Sequence, residues 1–188
     1  MKEILLHICC APCSVTCIER LREEGYAPIG LWYNPNIHLY TEYQARRDTL
    51  IDYAKTIELP LLVQDEYGLD RFMQAVSGQI EKRCAFCYAI RMEETARIAA
   101  ARGIPAFTTT LTVSPYQNHA LINEIAAKAA KRYGVEFIPY DFSPRFREGQ
   151  NRAREAGLYL QKYCGCVYSE QERYAQKREK DAKKFAKI

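Results

Sequence analysis

The sequence predicts an α/β fold: a mainly parallel, five-stranded, Rossmann-like sheet with helices on both faces, followed by a C-terminal helical extension. Two observations carry that expectation. Short apolar runs alternate with segments of helical period along most of the chain, and those segments have the roughly ten or more residues that right-handed βαβ crossovers use. At 188 residues with 48% hydrophobic content, the chain can bury one good-sized core. A single domain is therefore expected over 1–188, with an α/β core over about 1–141 and the extension over about 142–188. No internal repeat or low-complexity segment breaks the pattern.

The elements follow in order. "EILLHI" (3–8) is a short apolar strand, and from Ser14 to Glu24 the apolar residues Val15, Ile18 and Leu21 fall at helical spacing, ending at Gly25. "APIGLWY" (27–33) reads as a second strand closed by "NPN"; Thr41 to Ile57 is a long helical pattern with alternating charges; "LPLLVQD" (59–65) is a third strand. After a connecting region, a helix is expected from about Ala85 to Arg102, stopped by Gly103. "IPAFTTTL" (104–111) is the fourth strand, a helix spans about Pro115 to Arg132 before Gly134, and "VEFIPYD" (135–141) is the fifth strand. Beyond Asp141 the Arg-, Tyr- and Lys-rich segments are expected to pack on the sheet as helices.

Composition narrows the setting. No apolar run reaches the roughly 18 residues of a membrane span, and "MKEILLHICC" lacks the h-region and cleavage site of a signal peptide. A cytoplasmic protein with no membrane contact is expected. Eight cysteines in a reducing compartment point to metal binding or redox chemistry rather than to structural disulfides. The net charge is +4, and residues 169–188 carry seven Lys/Arg against four Asp/Glu. A basic terminal helix of that kind suits a polyanion such as RNA.

Open α/β sheets bind ligands beyond the carboxyl ends of their strands. The residues expected there are Cys9, Cys10 and Cys13 after strand one; Asn34, Asn36 and His38 after strand two; Asp65 after strand three; Thr110 to Ser114 after strand four; and Asp141 after strand five. A second thiol group, "RCAFCYAIR", places Cys84 and Cys87 at C-x-x-C spacing near a helix start, where exposed N–H groups favour thiolates. Five thiols from two loops converge, which makes the metal reading specific. A structural zinc takes four thiolates, and so does a [4Fe-4S] cluster, whose larger span suits ligands from two loops. The third group, "YCGCVYS", sets Cys164 and Cys166 around one glycine. That pair can close into a small, oxidising disulfide, or it can ligate metal. Cys17, one helical turn beyond Cys13, reads as a small core residue.

Four stretches, "HICCAPCS", "RCAFCYAIRM", "TTTLTVSPYQNH" and "YCGCVYS", resemble in order and spacing the QueH-type epoxyqueuosine reductases, over about residues 1–175. The resemblance implies the last step of queuosine biosynthesis: two-electron removal of the epoxide oxygen from epoxyqueuosine at the wobble position of tRNA. It implies that Cys9, Cys10, Cys84 and Cys87 hold a [4Fe-4S] cluster and that Cys164 and Cys166 form a redox-active disulfide. It further implies an additional iron beside the cluster, with Cys13 and either Asp141 or Asp65 as candidate ligands, and an external electron donor.

Residue chemistry agrees with such a reaction. Turning an epoxide into an alkene needs two electrons and two protons, and the proton candidates near strand ends are Asp141, Tyr116 and His38. Tyr33, Tyr88, Tyr140, Tyr163 and Tyr168 flank the motifs and can enclose an unstacked base, while Arg145, Arg147, Arg152 and Arg154 can follow an RNA backbone. Ser114 and Pro115 have the residue types of a helix N-terminus able to receive a phosphate. Two other classes stay open: a zinc-stabilised RNA-binding module, and a thiol-disulfide oxidoreductase. An ATP-dependent PP-loop enzyme is disfavoured, because cysteines stand where its phosphate loop would follow the first strand.

Overall fold

The computed structural model describes residues 2–185. Five strands, β1 (Lys2–His7), β2 (Tyr26–Trp32), β3 (Leu61–Val63), β4 (Ala106–Thr109) and β5 (Glu136–Phe137), form one sheet in the order β3-β2-β1-β4-β5. Every pairing is parallel. β1 is the centre, and Ile4, Leu5 and Leu6 are fully buried because both of its faces are covered. Burying one such side chain contributes about 1.5–3 kcal/mol.

The connections are helical: α1 (Ala11–Glu23), α2 (Tyr40–Thr56), α3 (Leu69–Val76), α4 (Arg83–Ala101) and α5 (His119–Tyr133). The strand order grows one way from β1 through β2 to β3 and the other way through β4 to β5. Right-handed crossovers then place α1 and α2 on one face and α4 and α5 on the other. The order reverses between β1 and β4, and the crevice at that switch point opens at the carboxyl ends of both strands. The segment carrying Cys9 and Cys10 leaves β1 at this crevice, and Thr110 faces it from β4.

Several expected boundaries shift. The helix expected from Pro115 begins at His119, because Asn118 accepts the Leu121 backbone N–H at 3.0 Å and is the N-cap. Residues 110–113 form a 3-10 turn, and Ser114 caps only a local turn by accepting the Tyr116 N–H at 3.3 Å. The region read as a connection contains α3, whose Phe72 and Val76 are buried. The third and fifth strands are shorter than expected, at three and two residues.

Three helices follow: α6 (Phe146–Glu155), α7 (Val167–Arg173) and α8 (Ala175–Phe185). They were expected to pack on the sheet, but α6 packs on α1 instead, where Gly149 leaves room for Thr16: a Cβ there would lie 3.3 Å from Thr16 Oγ1. Ion pairs from Arg145 and Arg152 to Glu19 fix this contact. α8 has no buried residue. Among the described residues no helix is long and apolar enough to cross a membrane.

Candidate metal centre and redox turn

The turn from β1 into α1 builds the first thiol group. Cys9 follows the strand, Cys10 is the extended N-cap of α1, and Pro12 occupies the first turn, where its missing N–H is tolerated. This compact entry brings Cys13 back toward the strand end. The sulfurs of Cys9, Cys10 and Cys13 lie within 4.8 Å of one another, all buried; Cys9 and Cys10 Sγ are 3.8 Å apart. Thr110 donates to Cys9 Sγ at 3.4 Å and accepts the Cys9 N–H at 3.1 Å, joining the two sides of the switch point. Cys17 turns away, its thiol donating to the Cys13 carbonyl at 3.1 Å, and belongs to the core.

Charge in this group is shared unequally. Hydrogen bonds from the Cys10 and Cys13 thiols hold Cys9 well below its ordinary range. Burial pushes Cys10 up, and Cys13 is raised by its bonds to Cys10 and Cys9. The Gln161 amide donates to Cys10 Sγ at 2.9 Å and to Cys13 Sγ at 3.4 Å, while its Oε1 is buried without a partner. A side-chain amide so placed favours anionic sulfur.

Cys84 stands in the first turn of α4 and Cys87 at the start of the second. They line one cavity of about 270 Å³ together with Cys9, Cys13, Cys164 and Cys166. Arg91, one turn beyond Cys87, enters the same cavity although it is 3% exposed. Its Nε donates to Asn36 Oδ1 at 2.9 Å, and it has no carboxylate partner among the described residues. A buried guanidinium left without a carboxylate is costly unless an anion lies beside it, and thiolates are the anions this cavity offers.

The third group sits in a held turn. Gly165 has φ +140°, a backbone region that disfavours side chains, and an added Cβ would lie 3.1 Å from Ile37 Cγ1. Its carbonyl accepts the His38 N–H at 2.7 Å. Arg46, 2% exposed, donates to the carbonyls of Tyr163 at 2.9 Å and Cys164 at 3.0 Å and pairs with Glu42 at 2.6 Å. The Tyr163 hydroxyl closes the frame on the His38 carbonyl at 2.5 Å. Cys166 begins α7, and its thiol is held down to about 5 by the Cys164 thiol, with help from Ser169 and backbone N–H groups. The same contact pushes Cys164 up. The contact thus favours the thiolate at Cys166 and the thiol at Cys164.

The remaining expected residues divide. Asn36, Thr110, Leu111, Ser114, Tyr88, Tyr116 and Tyr163 line the cavity, and Tyr116 stands 87% exposed at its rim. Asn34 is buried scaffold, donating to the Ile8 carbonyl. His38 is buried behind the turn against Tyr67 and Phe72, both ring nitrogens unpartnered. Asp65 pairs with Arg47 and accepts the Tyr43 hydroxyl, and Asp141 accepts the Ser143 N–H at 2.9 Å. The structure brings neither carboxylate to the thiols: each lies at its strand end but turns to a local partner. Tyr33 is buried in the core, Tyr140 stacks on Phe142, and Tyr168 packs on Phe72. Arg145 and Arg152 are engaged with α1, so they hold α6 in place.

Comparison with known proteins agrees with this geometry. The family model described as "Epoxyqueuosine reductase QueH" matches residues 4–172. The chain belongs to the QueH family. The QueH epoxyqueuosine reductase of Dehalococcoides mccartyi is 35% identical over 172 residues, covering 92% of this chain and 94% of that one. That of Thermotoga maritima is 35% identical over 183 residues, covering 92% and 93%. The family is one of oxidoreductases. Among solved structures, a predicted subunit of tRNA methyltransferase from Methanocaldococcus jannaschii shares the fold. Its TM-score is 0.54 at 11% identity, over 82% of this chain and 75% of that chain.

The residues fit a thiolate-bound metal. Three buried sulfurs already converge, two more face them across the cavity, and an amide and a guanidinium without a carboxylate partner offer the positive side of the interaction. Sulfur donors in this number suit iron-sulfur or zinc chemistry. Three contributors carry no clear signal in the sequence: Gln161, Arg91 and Arg46. The spacing of Arg91 one turn after Cys87 is a weak signal for one of them.

Proposed function

We propose that this chain removes the epoxide oxygen of epoxyqueuosine at the wobble position of cytoplasmic tRNA, leaving the cyclopentene of queuosine. The observation that carries this reading is the meeting of three separate thiol groups on one cavity in a member of this reductase family. The balance is simple: epoxide, two electrons and two protons give alkene and water.

Cys9, Cys10, Cys84 and Cys87 would hold a [4Fe-4S] cluster, with Cys13 left for an additional iron. Such a group supplies single-electron transfer, and an iron with an open position adds Lewis acidity. Around it, Arg91 offsets the charge of several buried thiolates, and Gln161 orients two of them. The Cys166 thiolate and Cys164 thiol, closing to a disulfide, release two electrons and one proton, and solvent supplies the second proton that the epoxide consumes. An external dithiol, flavin or ferredoxin-type donor then reopens the disulfide with two electrons, one proton restoring the Cys164 thiol. Cys166 meets this role as the thiolate and Cys164 as the proton-bearing partner. At the rim, Tyr116 and Tyr163 offer faces for a base taken out of the anticodon stack.

The test is anaerobic incubation of iron-loaded protein and a strong reductant with tRNA carrying epoxyqueuosine, followed by nucleoside mass spectrometry. Loss of one oxygen from the modified nucleoside is expected. A zinc-loaded, iron-free protein that binds RNA but leaves the nucleoside unchanged under these conditions would instead favour the RNA-binding module.

A further inference from the structure

The thiol cavity continues into a second surface that the reaction itself does not use. Lys162 lines that cavity and also a neighbouring surface groove of about 410 Å³, whose other lining residues are Arg173, Tyr174, Gln176, Lys177 and Lys180. No carboxylate lines the groove. All four cations are exposed, and among the described residues none of them forms an ion pair.

Local structure explains the alignment. The Tyr174 N–H donates to the Glu170 carbonyl at 3.2 Å and the Arg178 N–H donates to the Tyr174 carbonyl at 3.0 Å, so the helical ladder runs on from α7 into α8. Residues 173, 177 and 180 then fall at i, i+4 and i+7, on one face. The acidic residues Glu170 and Asp181 line an adjoining groove that shares Tyr174 and Lys177 with this one, and neither carboxylate lines the basic groove itself. Four cations ordered along one track form no ion pair among the described residues, and α8 has no buried residue to account for its presence.

We infer that this track holds the phosphate backbone of the substrate tRNA, leading from the thiol cavity along Lys162, Arg173, Lys177 and Lys180. The inference rests on the reading of tRNA as substrate. It goes beyond the family match, because residues 173–180 follow its end at 172. RNA is favoured over other anions because the track starts at the mouth of the cavity that would take the modified base, and because Tyr174 sets an aromatic ring among the cations.

The test is tRNA binding by the holoprotein, wild type against Arg173→Gln/Lys177→Gln/Lys180→Gln, by fluorescence anisotropy at several salt concentrations. Among the described residues these exposed side chains form no hydrogen bond or ion pair, and circular dichroism checks that the fold is unchanged. The triple variant should bind tRNA about tenfold or more weakly, with a salt slope shallower by about 0.7–0.9 for each cation removed. Its KM for tRNA should rise while kcat at saturation and the visible spectrum stay as in the wild type. An unchanged affinity and slope would overturn the track, and so would a variant that loses binding only to phosphatidylserine vesicles. Binding is read without turnover, so the two readings fail separately. A wild type that binds tRNA through this stripe but leaves epoxyqueuosine intact sinks the reaction alone; a reductase indifferent to the triple change sinks the track alone.

Discussion

The thiols at the start of the chain and those near its end are built in opposite ways. Cys9, Cys10 and Cys13 are fixed by a central strand and the first turn of a long helix, and all three are buried. Cys164 and Cys166 sit in a glycine turn with no strand beneath it, held from behind by Arg46, His38 and Tyr163. Rigid elements suit permanent ligation, because ligand positions must not wander. A turn clamped through its carbonyls leaves the two sulfurs free to make and break a bond. On the proposed function, placement in the fold would separate the two roles where residue type does not.

The largest expected effect lies in the clamp. Arg46→Met removes the cationic partner of a buried ion pair and leaves Glu42 only the Tyr159 hydroxyl, and should cost about 3 kcal/mol in urea unfolding. Arg46→Lys keeps the charge but cannot donate to both carbonyls and Glu42 in the fork geometry of the guanidinium. It should keep its iron and lose turnover; equal turnover would show that the clamp is dispensable. On the other side, Gln161→Leu removes two donors to sulfur and should weaken metal retention about 10- to 100-fold, as loss of partners that support ligands does. Chelator challenge followed by iron analysis reads this directly.

Smaller changes sharpen the contrast further. Gly165→Ala must place a side chain at φ +140° against Ile37, and should destabilise by about 1–3 kcal/mol. Disulfide closure, followed by alkylation and mass spectrometry, should slow, while iron content stays unchanged. His38 behind the turn supplies a pH effect: burial lowers its pKa to about 4. The unfolded ring, near 6.5, takes up a proton that the folded ring refuses. The stabilising contribution is therefore complete above about pH 6.5 and is lost as pH falls toward 4. Between pH 7.5 and 5.5 the wild type should lose about 1 kcal/mol more than His38→Gln does. Parallel losses in urea titrations would contradict the burial of a neutral ring.

Much of this was legible in the sequence. Alternating periods gave the five parallel strands, and the rule that ligands gather at carboxyl ends put Cys9, Cys10 and Cys13 at the mouth, with Cys84 and Cys87 expected to join them; that the Cys164–Cys166 pair opens on the same cavity is visible only in the tertiary fold. Asp141 and Asp65 satisfied the same rule and still turned away, since a carboxylate at a loop start readily finds a backbone N–H or an arginine nearby. Arg46 and Arg91 were hidden because a charged residue inside a helical pattern reads as solvent-facing, and only the tertiary fold reveals what faces it. Gln161 had no periodicity to betray it. Helix α3 was readable in principle: Leu69, Phe72, Met73 and Val76 have helical spacing, but the glycines around it, Gly68 and Gly78, resemble a loop.

The division of labour between the two thiol regions is tested most directly by iron and acid-labile sulfide analysis of anaerobically prepared Cys9→Ala, Cys84→Ala and Cys166→Ser, each with its visible spectrum and turnover. Cys9→Ala and Cys84→Ala should lose iron, sulfide, colour and activity together. Cys166→Ser should keep iron, sulfide and colour while losing turnover. Full iron in Cys84→Ala, or loss of cluster iron in Cys166→Ser, would contradict the assignment of ligation to Cys9, Cys10, Cys84 and Cys87 and of electron exchange to Cys164 and Cys166.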